Sequence, residues 1–225
     1  MHSPYRNYLS RRFKQRGIVL SSTQLDRLTC YVEHLLRWRR RINLTGLHQA
    51  ERVMDVLVVE SLDFLQRRVL VHGARVLDLG TGAGVPGLTL AICAPDLQLT
   101  LLDRSEKKIA FLRYVVPRLG IQNCQPYCDT AEAFGRHLLP EQRFDVIVTR
   151  GVGRVDDMLR LAAPLLRSGG ALVLRKPYAS EEMQVAASLM TSAWSELYTI
   201  PLSQDEDLAW VLVVALRDAQ ALINS

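Results

Sequence analysis

Residues 76–87, Val-Leu-Asp-Leu-Gly-Thr-Gly-Ala-Gly-Val-Pro-Gly, carry an apolar run through an acid into four closely spaced glycines. Val76, Leu77 and Leu79 suit a short buried strand. Gly80, Gly82 and Gly84 then permit a tight turn, close approach of main chain to a ligand, and close packing of the helix that follows. Gly82, Gly84 and Gly87 also satisfy the dinucleotide pattern G-x-G-x-x-G, so glycines alone do not choose the ligand. Asp78 discriminates. A carboxylate just ahead of the loop repels a pyrophosphate and suits a phosphate-free donor with ammonium and sulfonium groups, such as S-adenosylmethionine. Asp103 ends the apolar run 98–103 and follows the loop at about the spacing of a ribose-binding carboxylate. The structural alternatives are a strand-end cap at Asp78 and a helix-start residue at Asp103; the methyl donor accounts for both acids together.

The elements that must position these groups follow from periodicity. Residues 22–40 predict a helix, with Ser21 or Ser22 as cap and Leu25, Leu28, Val32, Leu35 and Leu36 on one face. A second amphipathic helix is predicted over 50–68, after a turn at 43–46. From Ala74 the pattern becomes strand, loop, helix. Strands are expected at 75–79, 98–102, 122–127, 144–149, 171–175, 195–200 and 210–216, and helices at 86–93, 105–118, 131–138, 154–167 and 180–192. Such alternation implies an α/β fold with a seven-stranded, mostly parallel sheet covered on both faces. The last two strands have no helix between them, so the sheet should close with an antiparallel hairpin. That ending belongs to class I (Rossmann-like) methyltransferases more than to dehydrogenases. The expected division is an N-terminal helical extension, 1–72, and a donor-binding domain, 73–225.

Composition narrows the class. The chain of 225 residues, 48% hydrophobic and 23% charged, suits one soluble domain with a small appendage. No stretch is apolar enough to span a membrane and no signal core follows the basic start, so a cytoplasmic protein is expected. The four cysteines are too scattered for a disulfide framework, and Cys124 and Cys128 are better explained by burial than by zinc. No metal is expected. Net charge is +5, unevenly spread: residues 1–41 hold ten Lys and Arg against Asp26 and Glu33. A basic arm on a near-neutral body points to a polyanion, nucleic acid first. A solvated helix face is the simpler reading of the same charges.

From about Leu25 to Leu216 the chain resembles the bacterial glucose-inhibited division protein B family, the 16S ribosomal RNA guanine-N7 methyltransferases. The most specific piece is the loop from Asp78 to Gly87 with its Pro86-Gly87 ending. Supporting pieces are Asn43-Leu44-Thr45, Leu101 to Asp103 with Lys107, Lys108, Phe111 and Leu112, Ala131 to Phe134, Thr149-Arg150, and Gly170 to Lys176. The resemblance implies donor contacts from Gly80, Val85, Ala131, Glu132 and Arg150, beside Asp78, Gly82, Gly84 and Asp103 from the reading above. It implies 16S ribosomal RNA, or a small ribosomal subunit precursor, as partner of a chain expected to be a monomer. Arg150 and Lys176, at the ends of adjacent strands beside the donor, are the candidate catalytic-side residues that hold the RNA. The chain departs from the family at Leu57, where a His is usual, at Glu60-Ser61 in place of Asp-Ser, and at Thr130 in place of Arg. It departs again at Gly151, Pro177 and Trp210.

Chemistry at the acceptor fits a ring nitrogen. Exocyclic amine methylation usually uses an Asn/Asp-Pro-Pro-aromatic turn, where this chain has Thr149-Arg150-Gly151-Val152. Cytosine C5 methylation needs a cysteine nucleophile, and no cysteine lies in a suitable loop. Two alternatives remain: a methyltransferase of this fold acting on another RNA, a small molecule or a protein, and a non-catalytic RNA-binding protein.

Overall fold

The computed structural model describes residues 3–66, 69–151, 153–177, 179–188, 190, 193–202 and 210–218. The seven strands form one sheet: β1 (Arg75–Leu79), β2 (Gln98–Asp103), β3 (Cys124–Cys128), β4 (Phe144–Arg150), β5 (Leu166–Pro177), β6 (Trp194–Pro201) and β7 (Trp210–Arg217). Their spatial order is β3-β2-β1-β4-β5-β7-β6. The first five pair in parallel. β7 inserts antiparallel between β5 and β6, which makes the expected terminal hairpin. Glycine-loop and acceptor-side candidates therefore all gather at the C-terminal edge of the parallel strands.

Alternation along each strand divides the core. Val76, Leu99, Leu101, Val146, Val148 and Val173 face a layer made by α1 (Pro4–Gln15), α2 (Ser22–Trp38), α5 (Gly87–Cys93) and α6 (Glu106–Arg118). Leu77, Leu79, Leu102, Ile147, Leu172 and Leu174 face α7 (Ala131–Arg136), α8 (Val155–Ala162) and α9 (Ser180–Ser188). The N-terminal helices and one sheet face share a continuous apolar cluster. Capping explains α2 locally: the Ser21 hydroxyl accepts from Gln24 N–H while the Gln24 side chain accepts from Ser21 N–H.

Several elements differ from the sequence expectation. The basic arm is a helix, α1, started by Pro4 in its first turn, with Leu9 and Phe13 fully buried against α2. The helix expected over 154–167 stops at Ala162, two residues ahead of Pro164, which disfavours helix in the residue before it. β5 consequently starts early, at Leu166. The helix expected over 50–68 is described to Gln66 and is not uniform. It runs as α3 (Ala50–Val53), a π-helical turn Met54–Val59, a 3₁₀ turn Glu60–Leu62 and α4 (Asp63–Gln66). Such a wide turn re-aims side chains, and functional sites often use one. The ends of the helices expected to reach 68 and 192 include residues outside the described set.

Candidate functional site

A cavity of about 430 Å³ opens at the strand ends. Its floor is Leu79, Gly80 and Leu102; Asp103, Arg104 and Lys108 form one wall, Asp129 to Glu132 another, and Met158 with Leu161 close it. Gly80, Asp103, Ala131 and Glu132, four of the sequence candidates, line this space together. Gly82 lies at its rim: its N–H donates to Asp103 Oδ2 at 2.9 Å, while Ser105 N–H donates to Oδ1 at 2.9 Å. Asp103 thus joins the glycine loop to the end of β2 and presents a carboxylate to the cavity.

Asp78 sits elsewhere. It is fully buried beneath the loop and is not part of the cavity wall. Its Oδ2 accepts from the Thr81 hydroxyl at 2.6 Å and from Gly87 N–H at 2.7 Å. Oδ1 is buried with no hydrogen-bond partner among the described residues. Burial pushes the Asp78 carboxyl up to about 7, against the opposing pull of the Thr81 and Gly87 hydrogen bonds. Its evident work is to gather both arms of the loop. Gly87 is required for this: a Cβ there would lie 2.3 Å from Leu101 Cδ2 and 2.8 Å from Asp78 Oδ2. Gly82 is the opposite case, with φ +58° and only an ordinary 3.9 Å contact to Gly80 O where a Cβ would lie. Val85 is buried, and its N–H donates to Thr81 O.

Two supports escaped the sequence reading. The Tyr31 hydroxyl, on α2, donates to Ala83 O in the loop at 2.9 Å. Burial, reinforced by the charge of Asp78, raises its pKa, so it remains a donor. A buried tyrosine on an amphipathic helix reads as core, and nothing in the sequence ties it to residue 83. Thr130 caps α7 by accepting Ala133 N–H at 3.2 Å, which fixes Ala131 and Glu132 in the cavity wall.

Beyond the cavity, charge is organised by side chains. Arg150 and Arg175 are register partners at the ends of β4 and β5. Glu60 Oε2 bridges them, at 2.8 Å from Arg150 and 3.0 Å from Arg175. Arg175 also pairs with Asp63 at 2.9 Å, and Asp63 with Arg16 of α1 at 2.7 Å. Arg150 donates further to Val56 O in the π-helical turn. Burial foremost, and then the charge of Arg175, lowers the Arg150 pKa, with Glu60 acting the other way. A parallel contact joins Asp55 to Arg12 at 2.7 Å and to the Tyr8 hydroxyl at 2.9 Å. Lys176 is separate: it pairs with Glu182 of α9, and the same Glu182 oxygen accepts Val155 N–H at 2.6 Å. Arg150 and Lys176 are therefore adjacent to the cavity's edge of the sheet but outside its lining, each held by a carboxylate. Glu60, Asp63, Arg175 and Glu182 were legible only as charges. Their pairings span up to 112 residues of sequence.

The donor set fits S-adenosylmethionine. Leu79, Leu102, Met158 and Leu161 offer apolar surface for a purine, Asp103 can accept from ribose hydroxyls, and the acids Asp129 and Glu132 oppose a phosphate. The family model described as rRNA small subunit methyltransferase G matches residues 24–210. The chain belongs to this family. A relative named ribosomal RNA small subunit methyltransferase G, from Laribacter hongkongensis, is 40% identical over 168 residues, covering 74% of this chain and 78% of its own. One of the same name from Desulfitobacterium hafniense is 33% identical over 200 residues, covering 88% and 82%. Among solved structures, TrmN from Thermus thermophilus aligns with TM-score 0.56 at 20% identity, over 71% of this chain and 48% of that one. Precorrin-6y C5,15-methyltransferase from Geobacter metallireducens aligns with TM-score 0.52 at 15% identity, over 69% and 86%. These two share the class I fold.

The chain's departures from the family pattern can now be placed. Leu57 packs against the core and its carbonyl accepts the Ser61 hydroxyl at 2.7 Å. Glu60 is the bridge between the two arginines. Thr130 is the cap of α7. Gly151 has φ +64°, just beyond Arg150. Pro177 ends β5, and the side chain of Trp210 lies outside the described set. Among the described residues, no group of His, Cys, Asp and Glu is placed to hold a metal ion. None of the described helices is long and apolar enough to cross a membrane.

Proposed function

We propose that this chain transfers the methyl group of S-adenosylmethionine to N7 of a guanine in 16S ribosomal RNA, by direct in-line displacement. The observation that carries this reading is the cavity in which Gly80, Asp103, Ala131 and Glu132 converge beside an acid-anchored glycine loop, in a chain of this family. When bound, the donor supplies an activated methyl on a sulfonium sulfur. Gly80 meets it with main chain, while Gly82, Gly84 and Val85 shape the turn behind, their N–H groups bonded to Asp103 and Thr81. Asp103 takes the ribose hydroxyls, and Ala131 and Glu132 take the adenine. Asp78 acts from behind by setting the loop's shape.

Guanine N7 has an in-plane lone pair and no proton, so the protein supplies no general base. Its work is placement and exclusion of water, which can account for several kcal/mol of barrier. Methylation leaves the ring cationic, so a guanidinium pressed on N7 would oppose the product. Arg150 and Lys176 accordingly serve the RNA's phosphate or guanine O6, or the donor carboxylate. Glu60 and Glu182 hold these two cations at the strand ends and lower the net charge facing the acceptor. The protein acts as a monomer in the cytoplasm, on 16S RNA or on a precursor of the small subunit.

The test is transfer of labelled methyl to small-subunit ribosomal RNA, bare and protein-bound, from cells lacking this gene. Incorporation at one guanine N7 is the expected result. Donor binding with no incorporation into either form would move the acceptor elsewhere.

A further inference from the structure

The basic character of residues 1–41 is not distributed as the sequence suggests. Arg6, Arg12 and Arg16 are spent on Asp26, Asp55 and Asp63. Arg27 donates to Gly120 O and Arg39 to Leu47 O. Arg37, Arg40 and Arg41, at the end of α2, are exposed and make no ion pair among the described residues.

These three do not stand on an isolated helix. α2 runs antiparallel along α6: Arg27 near its start meets Gly120 beyond the end of α6, and Trp38 at its other end lies 5.6 Å from the Phe111 ring. Between them is a stack shared by both helices. The Arg118 guanidinium lies 3.7 Å from the centroid of the Tyr114 ring, which is flanked by Trp38 at 5.1 Å and His34 at 5.3 Å. After burial, the charges of Arg37 and Arg118 are what lower the His34 pKa, so cations from two elements converge on one ring, with Glu33 as the opposing acid. Like charges brought together cost free energy that a bound polyanion returns. Guanidinium groups, one already over an aromatic ring and donating to Tyr114 O at 2.7 Å, can meet phosphate oxygens in a bidentate fork.

We propose that the C-terminal end of α2 and the Tyr114–Arg118 stack of α6 form a docking face for the phosphate backbone of the RNA, outside the methyl-donor cavity. This rests on the ribosomal RNA reading above and deepens it. α6 links the two regions: Lys108 lines the donor cavity, and Arg118 lies ten residues on, about 15 Å along the helix axis. The face grips backbone flanking the target nucleotide and leaves base recognition to the cavity's edge.

The experiment uses the full chain with Arg37, Arg40 and Arg41 changed to Ser and Arg118→Gln, leaving Arg39 in place. Arg160→Gln, on α8 and paired with Asp156 and Asp157, is the control. Affinity for a small-subunit ribosomal RNA fragment is measured against salt, beside donor affinity and melting temperature. The expected result is RNA binding weakened at least tenfold and a log K versus log salt slope shallower by about three, since each phosphate contact contributes about 0.7–0.9. Donor affinity stays at the wild-type value, and melting falls by at most a few degrees from the lost Arg118 contacts with Tyr114. Lys at all four positions restores the salt slope with only part of the affinity. A slope no shallower than that of the control overturns the docking face while leaving the RNA reading intact. Wild-type protein that binds donor but neither binds nor methylates RNA overturns both. Polyglutamate competing as well as RNA at equal charge concentration would reassign the face to an acidic protein.

Discussion

The donor cavity and the charged strand ends beside it occupy the same edge of one sheet, yet they are built by different means. The glycine loop at the cavity's floor is main chain over a short span of sequence, from Asp78 to Gly87, while the walls come from Asp103 to Lys108, Asp129 to Glu132, Met158 and Leu161. The loop's shape is set by amides that donate to two buried carboxylates, Gly87 to Asp78 and Gly82 to Asp103. The charged edge is made by side chains from segments far apart in sequence, Arg16, Glu60 with Asp63, Arg150 and Arg175. A loop gathered by local hydrogen bonds can be transplanted whole between proteins that share a cofactor. A buried ion-pair chain is correct only when every partner is present, because removing one leaves a charge uncompensated in a poorly solvated place.

The sharpest break between the two regions is Asp63→Ala. Arg175 would keep Glu60 but lose its second carboxylate, Arg16 would lose its ion pair with Asp63, and stability should fall by about 1–3 kcal/mol in chemical denaturation. Donor affinity of the folded fraction should stay within about threefold, since Asp63 is outside the cavity. A donor affinity that collapses with stability would show that the two regions are one unit. Gly82→Asp should do the reverse. It should abolish detectable donor binding in calorimetry, a loss of at least 100-fold, or about 2.7 kcal/mol. The φ of +58° costs only about 1–2 kcal/mol of folding stability, because a Cβ there makes no contact tighter than 3.9 Å, to Gly80 O. Normal donor binding by this variant would displace the site from the cavity.

Asp78→Asn tests the loop from beneath, and its effect depends on pH. The folded carboxyl titrates at about 7, above its ordinary value of 3.8. The folded state therefore holds more protons than the unfolded one between those values, and this group's contribution to stability declines as pH rises through 7. Asparagine keeps an acceptor for Thr81 and Gly87 and has no charge to desolvate. The variant should equal or trail wild type at pH 4.5 and gain on it by about 1–3 kcal/mol at pH 8. A difference that does not change with pH would mean that Asp78 is ionised throughout. The smallest effect is expected from Thr130→Ala, which removes the cap of α7 and should cost about 1 kcal/mol. If Ala131 and Glu132 hold the adenine, donor affinity falls with it by a fewfold; unchanged affinity would detach α7 from the site.

Local pattern carried the reading of the fold a long way. Strand, loop and helix alternation from Ala74, the terminal hairpin and the glycine turn all depend on residues near each other in sequence, where period and turn chemistry act directly. It failed at α1, where Leu9 and Phe13, four apart behind Ser3-Pro4, signalled a packed helix that the surrounding arginines obscured. It also failed at the end of α8, where Pro164 was the available sign. Of the site candidates, Gly80, Asp103, Ala131 and Glu132 came together in the cavity, whereas Asp78 went beneath the loop because its strand position points it to the α5 face.

The sequence alone determined the donor loop and the class of sheet around it, since both follow from backbone freedom at glycines and from the alternation of apolar residues. Only the tertiary structure decided which charges are consumed and which are displayed. Arg6, Arg12 and Arg16 look like a nucleic-acid arm until Asp26, Asp55 and Asp63 are brought against them, and Arg150 looks free until Glu60 reaches it. Charge is additive along a chain, but what a charge does depends on the partner within a few ångströms, and that partner is chosen by packing.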